Sequence, residues 1–166
     1  MMKPVAPSFP ASSHDHRHCM HEALRTAEHL CASQGVRLTA IRRRVLELIW
    51  RSHRPSGAYE LLEQLAAEGH KPSPPTVYRA LEFLLAHGLV HKINSRNAYV
   101  GCSHAGESHV AQIFICDRCS NTTEQADDAV ERRIRRNARD LHFHIREQTV
   151  EIAGLCPRCA EQHDGA

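Results

Sequence analysis

Four cysteines form two pairs with the same two-residue spacer, Cys116-Asp-Arg-Cys119 and Cys156-Pro-Arg-Cys159. This spacing lets both thiolates of one turn reach a tetrahedral zinc ion at about 2.3 Å, and two such turns fill every coordination position. The pattern therefore predicts a closed, structural zinc site. The alternatives are a redox dithiol or disulfides. A thioredoxin-like motif would open a helix, whereas we expect these pairs at strand ends.

The composition agrees with a metal-binding intracellular protein. The chain of 166 residues is long enough for one or two small domains, and its 42% of apolar residues can form a core. It contains 14 His and 7 Cys. The chain has no apolar run near the roughly 20 residues that span a bilayer, and no secretory signal at its start. We therefore expect a cytoplasmic protein without a membrane partner, in which paired cysteines bind metal more often than they form disulfides.

Elements that could position these ligands follow from the apolar periodicity. The sequence predicts helices over 19–33, from Ala40 after a Thr39 cap, over 58–68 and between a Ser73 cap and Gly88, then strands over 89–93 and 98–100. Three helices followed by a hairpin are typical of a winged helix-turn-helix domain, in which the helix before the wing enters the major groove.

The periodicity changes after a small polar segment. Strands are predicted over 110–115, 121–125 and 143–153, with a helix over 126–142 between the second and the third. The predicted fold class is α+β: an arm (1–18), a winged-helix DNA-binding domain (19–100), a hinge (101–108), a small α/β dimerisation and metal-binding domain (109–160) and a tail (161–166). So small a second domain needs a metal or a partner chain for stability.

Charge favours DNA as the partner of the first domain. Residues 1–100 contain 13 Lys and Arg against 8 Asp and Glu, whereas residues 101–166 contain 8 against 11. Tyr78 and Arg79 lie off the apolar stripe of the fourth helix, where arginine could bond to guanine. Candidates for contacts to the DNA backbone are Thr76, Tyr59, Arg42 and Arg44, although a solvated helix face explains the arginines equally well.

A second group of possible ligands surrounds the hinge: His91, Cys102, His109 and Glu124. Taken singly, each has an ordinary explanation as a polar surface residue. A thiolate, two imidazoles and a carboxylate would together suit zinc better than manganese or iron(II).

Longer motifs show a family resemblance. The segments Pro75–Leu85, Gly88–Lys92, Phe114–Cys119 and Gly154–Cys159 resemble the ferric uptake regulator family, and most of all its zinc-sensing branch, over about residues 20–160. The resemblance implies a dimeric, metal-dependent repressor that binds operator DNA and controls zinc uptake genes. It implies two zinc ions per chain, a structural one at the two cysteine pairs and a sensor ion at His91, Cys102, His109 and Glu124.

The resemblance also sets limits. Iron-type members carry a His-rich run before the first cysteine pair, whereas here only His109 remains, so a further metal site of that kind is in doubt. The alternatives are another metal or peroxide sensor of the same family, a zinc-storage or trafficking protein, and a zinc enzyme. We expect no enzymatic activity and no small-molecule substrate, because a ligating Glu124 would not serve as a general base.

Two further expectations concern other cysteines and histidines. Cys31 is predicted to be a small core residue. We expect the N-terminal arm to bind metal loosely rather than to form an accessory zinc site. The possible ligands of such a site are His14, His16, His18, Cys19 and His21.

Overall fold

The computed structural model describes Phe9 and residues 15–162. Of these, residues 15–106 form one compact unit, and Phe9 together with residues 107–162 forms another. The division falls inside the segment 101–108 that the sequence predicts as a hinge. Within the described part of the chain, every helix is too short or too polar to cross a membrane.

The first unit contains four helices and a small antiparallel sheet. Its elements are α1 (His16–Ser33), α2 (Ala40–Ile49), β1 (Ser56–Gly57), α3 (Ala58–Ala67), α4 (Pro74–Ala86), β2 (Val90–Ile93) and β3 (Ala98–Gly101). The strand order is β1-β3-β2, and a short 3₁₀ turn, Asn94–Arg96, joins the two strands of the wing. This is the predicted winged helix-turn-helix arrangement, with α4 directly before the wing.

Side-chain capping sets the start of α1, but not that of α4. The Asp15 carboxylate accepts a hydrogen bond from the Arg17 backbone N–H at 3.0 Å and starts α1 at His16. The helix therefore begins before Cys19, where the sequence predicts its start, and includes residues 16–18 of the predicted arm. Ser73 occupies the N-cap position of α4 as predicted, but its hydroxyl bonds to the Thr76 hydroxyl at 3.0 Å instead of to the helix backbone.

Apolar side chains from all four helices and from the sheet fill the core of the first unit. Its fully buried members include Val45, Leu46, Ile49, Leu61, Leu65, Val77, Leu81 and Leu84. Cys31 joins this cluster at 2% exposure, as expected for a core residue. The predicted helical stripes are therefore the faces that meet in the interior.

The second unit is a three-stranded mixed sheet with two helices. Its elements are β4 (Gln112–Cys116), β5 (Thr122–Gln125), α5 (Asp128–Asp140), β6 (Val150–Gly154) and α6 (Pro157–Glu161). The strand β4 is central, pairing with β5 antiparallel and with β6 parallel. Its small buried core includes Ala111, Ile113, Ile115 and Ala138.

The third predicted strand of this unit was partly wrong. The sequence predicts a strand over 143–153, but only Val150–Gly154 is a strand. The residues of β4 from Gln112 to Cys116 pair with Val150–Gly154, so residues 143–149 have no partner on β4. Phe143 is 66% exposed. Its alternation with Ile145 therefore did not mark a buried strand face.

Candidate metal centres and nucleic-acid interface

The two cysteine pairs of the second unit converge. Cys116 ends β4 and Cys119 lies in the turn that leads to β5. Cys156 is the N-cap residue of α6, and Cys159 lies within that helix. The expectation that both pairs lie at strand ends is thus wrong for the second, which opens a short helix because Pro157 suits a first helical turn.

The four sulfur atoms fit a tetrahedral ion. All four lie within 4.8 Å of one another, and the Cys119 and Cys156 sulfurs are 3.8 Å apart. A tetrahedron with bonds of about 2.3 Å has edges of about 3.8 Å, so this spacing suits four thiolates around one zinc ion. The same distance is far too long for a disulfide, and all four cysteines are free thiols.

Local hydrogen bonds prepare one thiol for this role. Burial raises the pKa of Cys116, but backbone N–H groups of Cys119, Cys156 and Arg118 donate to its sulfur and bring the pKa down to about 6. Burial, together with hydrogen bonds from the neighbouring cysteines, raises the pKa of Cys159. Fixed N–H donors therefore favour negative charge at the centre of the cluster.

Two side chains other than the four cysteines also contact the cluster. Arg158 donates a hydrogen bond to the Cys119 side chain, which raises the pKa of this guanidinium. Phe9, far away in sequence, packs against the buried cysteines 116, 156 and 159. Sequence reasoning missed Phe9 because an isolated aromatic residue in a segment without periodicity carries no signal of its partner.

One half of the predicted sensor site belongs to the first unit. His91 lies on β2, and Cys102 directly follows β3. In the ladder His91 pairs with Val100, two residues before Cys102, so both side chains project from the same face. A ring nitrogen of His91 and the Cys102 sulfur lie within 4.8 Å of each other. Cys102 is buried, at 4% exposure.

The other half belongs to the second unit. His109 Nε2 lies 2.8 Å from Glu124 Oε1, and the carboxylate is almost fully buried. His109 Nδ1 lies 2.9 Å from the Glu107 carbonyl oxygen, which can only accept a hydrogen bond, so Nδ1 carries a proton. In a neutral ring Nε2 then offers a lone pair towards a carboxylate. A metal cation would suit the space between these two acceptors.

The proposed DNA-contacting residues of α3 and α4 are accessible. Tyr59 is 67% exposed, Tyr78 is 40% exposed and Arg79 is also exposed. Thr76 is half-buried at the start of α4, where it bonds to Ser73. Tyr78 and Arg79 are thus free of the core face that Val77 and Leu81 form.

Arg42 and Arg44 on α2 have partners that the sequence did not reveal. The Arg42 guanidinium lies 3.6 Å from the centre of the Phe83 ring and donates to the Arg37 carbonyl at 2.7 Å. Arg44 bonds to both oxygens of Glu68 and also to Glu47. A contact of either arginine with a DNA phosphate stays a prediction, and it would have to compete with these partners.

The N-terminal histidines that the structure describes do not gather into a metal site. His14 lies outside the described residues, and His18 and His21 are exposed on α1. The rings of His16 and His53 lie 4.7 Å apart, while Cys19 is half-buried. Among the described residues, the close groups of possible ligands include none of these side chains.

Comparisons with known proteins extend these observations. Residues 33–153 match the ferric uptake regulator family model. The chain is 41% identical over 141 residues to the zinc uptake regulation protein of Escherichia coli K12, covering 84% of this chain and 82% of that protein.

Solved structures of similar sequence have the same fold. One is a zinc uptake regulator complexed with zinc and DNA, with 40% identity and a TM-score of 0.82 over 87% of this chain and 97% of that one. Another is holo XcZur, with 42% identity and a TM-score of 0.78 over 84% of this chain and 98% of that one.

Proposed function

This chain belongs to the ferric uptake regulator family, and from that premise we propose that it is a zinc-responsive repressor of zinc uptake genes. The observation that carries the proposal is a donor set suited to zinc in a chain that also presents an exposed helix before a wing. As a regulator rather than an enzyme, it binds operator DNA as a dimer in the cytoplasm.

Two zinc ions per chain have different roles in this proposal. The four cysteines form a closed shell that leaves no position for an effector or substrate, so their ion is structural. The sensor ion is held by the pair His91 and Cys102 together with the pair His109 and Glu124. The fixed Nδ1 proton of His109 and the facing carboxylate support this assignment.

The proposed sensor site takes its ligands from both sides of the hinge. His91 and Cys102 belong to the DNA-binding domain, whereas His109 and Glu124 follow the hinge. A bound zinc ion supplies the positive charge to which all four donors are attracted. Holding them together restricts the hinge and thereby the spacing of the two reading helices of a dimer. Couplings of this kind are typically about 1–3 kcal/mol and are reciprocal between zinc and DNA.

Operator recognition is assigned to α4. Arg79 donates to a guanine edge, and Tyr78 contacts a thymine methyl or a phosphate. Tyr59 and Thr76 contact the backbone, as do Arg42 and Arg44 where their intramolecular partners release them. The exposure of Tyr59, Tyr78 and Arg79 supports these roles.

Dimerisation is assigned to the second unit. Val130 lies in α5 and is 36% exposed. Leu141, which directly follows that helix, is 76% exposed, and Phe143 is 66% exposed. Apolar groups exposed together typically mark an interface with another chain. A second copy of the chain would remove them from water.

Operator binding across a buffered series of free zinc concentrations tests this function. A duplex is first selected from a random pool with zinc-loaded protein, and its binding is then followed by fluorescence anisotropy. We expect zinc to tighten binding about 5- to 150-fold, as couplings of this size imply. Cys102→Ala should lose the zinc response, whereas the core variant Cys31→Ala should retain it.

Unchanged operator affinity across the zinc series, with protein that stays folded and dimeric, would rule out the zinc-responsive mechanism. A response to manganese or iron(II) at lower free concentrations than to zinc would instead identify another metal sensor of the same family.

A further inference from the structure

The end of the wing lies directly on the only tryptophan of the chain. Trp50 follows α2 as its C-cap residue, and β3 ends at Gly101. A Cβ atom at Gly101 would lie closer than 3.0 Å to Cε2, Nε1 and Cζ2 of the Trp50 indole. Real Cβ atoms essentially never approach another atom closer than 3.0 Å. Only glycine permits this contact.

The contact lies behind the ligand face of the strand. Side chains alternate along a strand, so position 101 projects opposite to Val100 and Cys102. His91 pairs with Val100 and shares its face with Cys102. The Cys102 N–H donates to the Leu89 carbonyl at 3.1 Å, which extends the ladder one residue beyond β3. The indole thus supports the backbone from which the Cys102 thiol projects.

Shape, rather than a hydrogen bond, determines the position of the indole. Trp50 Nε1 is buried and has no hydrogen-bond partner among the described residues. The preceding residues Leu48 and Ile49 are 2% and 1% exposed, so the end of α2 is anchored in the core. The buried end of α2 therefore holds the Trp50 indole in contact with β3.

We propose that Trp50 is a positioning residue for the zinc ligands His91 and Cys102. By packing on Gly101 it holds the end of β3 so that the thiol stays within reach of the imidazole. A pair that is ordered in advance does not lose conformational entropy when the ion binds, which raises the affinity. The inference rests on the proposed function in one respect, since it takes these two residues as sensor ligands.

Three variants test the role of Trp50. Gly101→Ala introduces the excluded methyl group and should weaken sensor zinc about 10- to 100-fold, the range typical for loss of an outer-shell support. Trp50→Phe in the same chain replaces the bicyclic indole, whose Nε1, Cε2 and Cζ2 the methyl would meet, with a smaller single ring, and should restore affinity to within about threefold of wild type. Gly57→Ala is the matched control, because it adds a methyl into open space in the same sheet.

The measurement is zinc affinity by chelator competition, with total zinc per chain determined beside it. The four-cysteine ion should be retained in every variant. Wild-type affinity in Gly101→Ala overturns the inference, as does a failure of the double variant to recover affinity while folded. Equal loss of both ions in Gly101→Ala also overturns it, because the contact would then only maintain the fold.

Tryptophan fluorescence gives an independent test that needs no zinc. Because Trp50 is the only tryptophan, the emission of the zinc-free protein reports its contact with Gly101, and should change in Gly101→Ala but not in Gly57→Ala. Unchanged emission in Gly101→Ala contradicts the inference. The proposed function fails separately: Cys102→Ala would then keep both zinc ions, whatever the behaviour of Gly101→Ala.

Discussion

Replacing Cys116 by serine should unfold the second unit while the first stays folded. Cys116 is fully buried at the end of β4, and its sulfur accepts from the Cys156 N–H at 3.4 Å, so it joins the sheet to α6. The substitution opens the thiolate shell and removes the ligand with the lowered pKa. We expect the structural zinc to be lost.

The expected magnitude follows from the small core of that unit. Ile113 and Ile115 are 0% and 3% exposed, and burial of such side chains contributes about 1.5–3 kcal/mol each. A structural zinc ion contributes about 10–16 kcal/mol in small zinc modules. The two isoleucines together contribute about 3–6 kcal/mol, which is less than the contribution of the zinc ion, so we expect loss of the ion to unfold the unit.

Differential scanning calorimetry measures this directly. Wild-type protein should show a transition for each unit, and Cys116→Ser or a strong chelator should abolish the transition of the second. Cys31→Ala is the control, because Cys31 is equally buried but belongs to the first unit, so only that transition should shift. If Cys116→Ser retains the second transition with its enthalpy unchanged, zinc is not the main stabiliser of this unit.

Three further predictions concern other contacts. Arg79→Ala should lower the free-energy difference between selected and random DNA by about 1–3 kcal/mol in anisotropy competition, and equal losses on both would exclude base readout. Hydrogen bonds donated by Arg44, and to a smaller extent by Arg51, lower the pKa of Glu68 from its ordinary 4.5 to about 2. The interaction of Glu68 with these two arginines therefore stabilises the first unit above pH 4.5, and it stabilises the unit less as the pH falls towards 2. Urea unfolding of Glu68→Gln should show a weaker pH dependence there, and an unchanged slope would contradict this. Phe9→Ala should accelerate alkylation of the zinc-bound cysteines about threefold, as measured by peptide mass spectrometry. An unchanged rate would show that Phe9 does not shield these cysteines from solvent.

Local patterns predicted most of the fold. The apolar period of 3.6 residues located α2, α3 and α4 closely, because each helix buries one stripe in the same core. The start of α1 was misplaced because the Asp15 cap was overlooked in a histidine-rich segment. The strand over 143–153 was overextended because alternation does not reveal whether a partner strand is long enough.

The candidate sites divide in the same way. Spacing within each cysteine pair predicted a chelating turn, and the structure brings the two turns to sulfur distances that fit one ion. The bonds of Arg44 to Glu68 could not be predicted, because residues far apart in sequence become neighbours only through folding. The same is true of the stacking of Arg42 on Phe83.

Ligand types, helical faces and the family could all be predicted from the amino-acid sequence. Those properties depend on spacing over a few residues, where the geometry of a turn or helix is known in advance. The folded arrangement was needed to reveal that Phe9 packs on the cysteines and that the Trp50 indole lies against Gly101, directly before Cys102. Such contacts depend on how distant segments pack, and close packing leaves room for a glycine and an indole where a single methyl group would not fit.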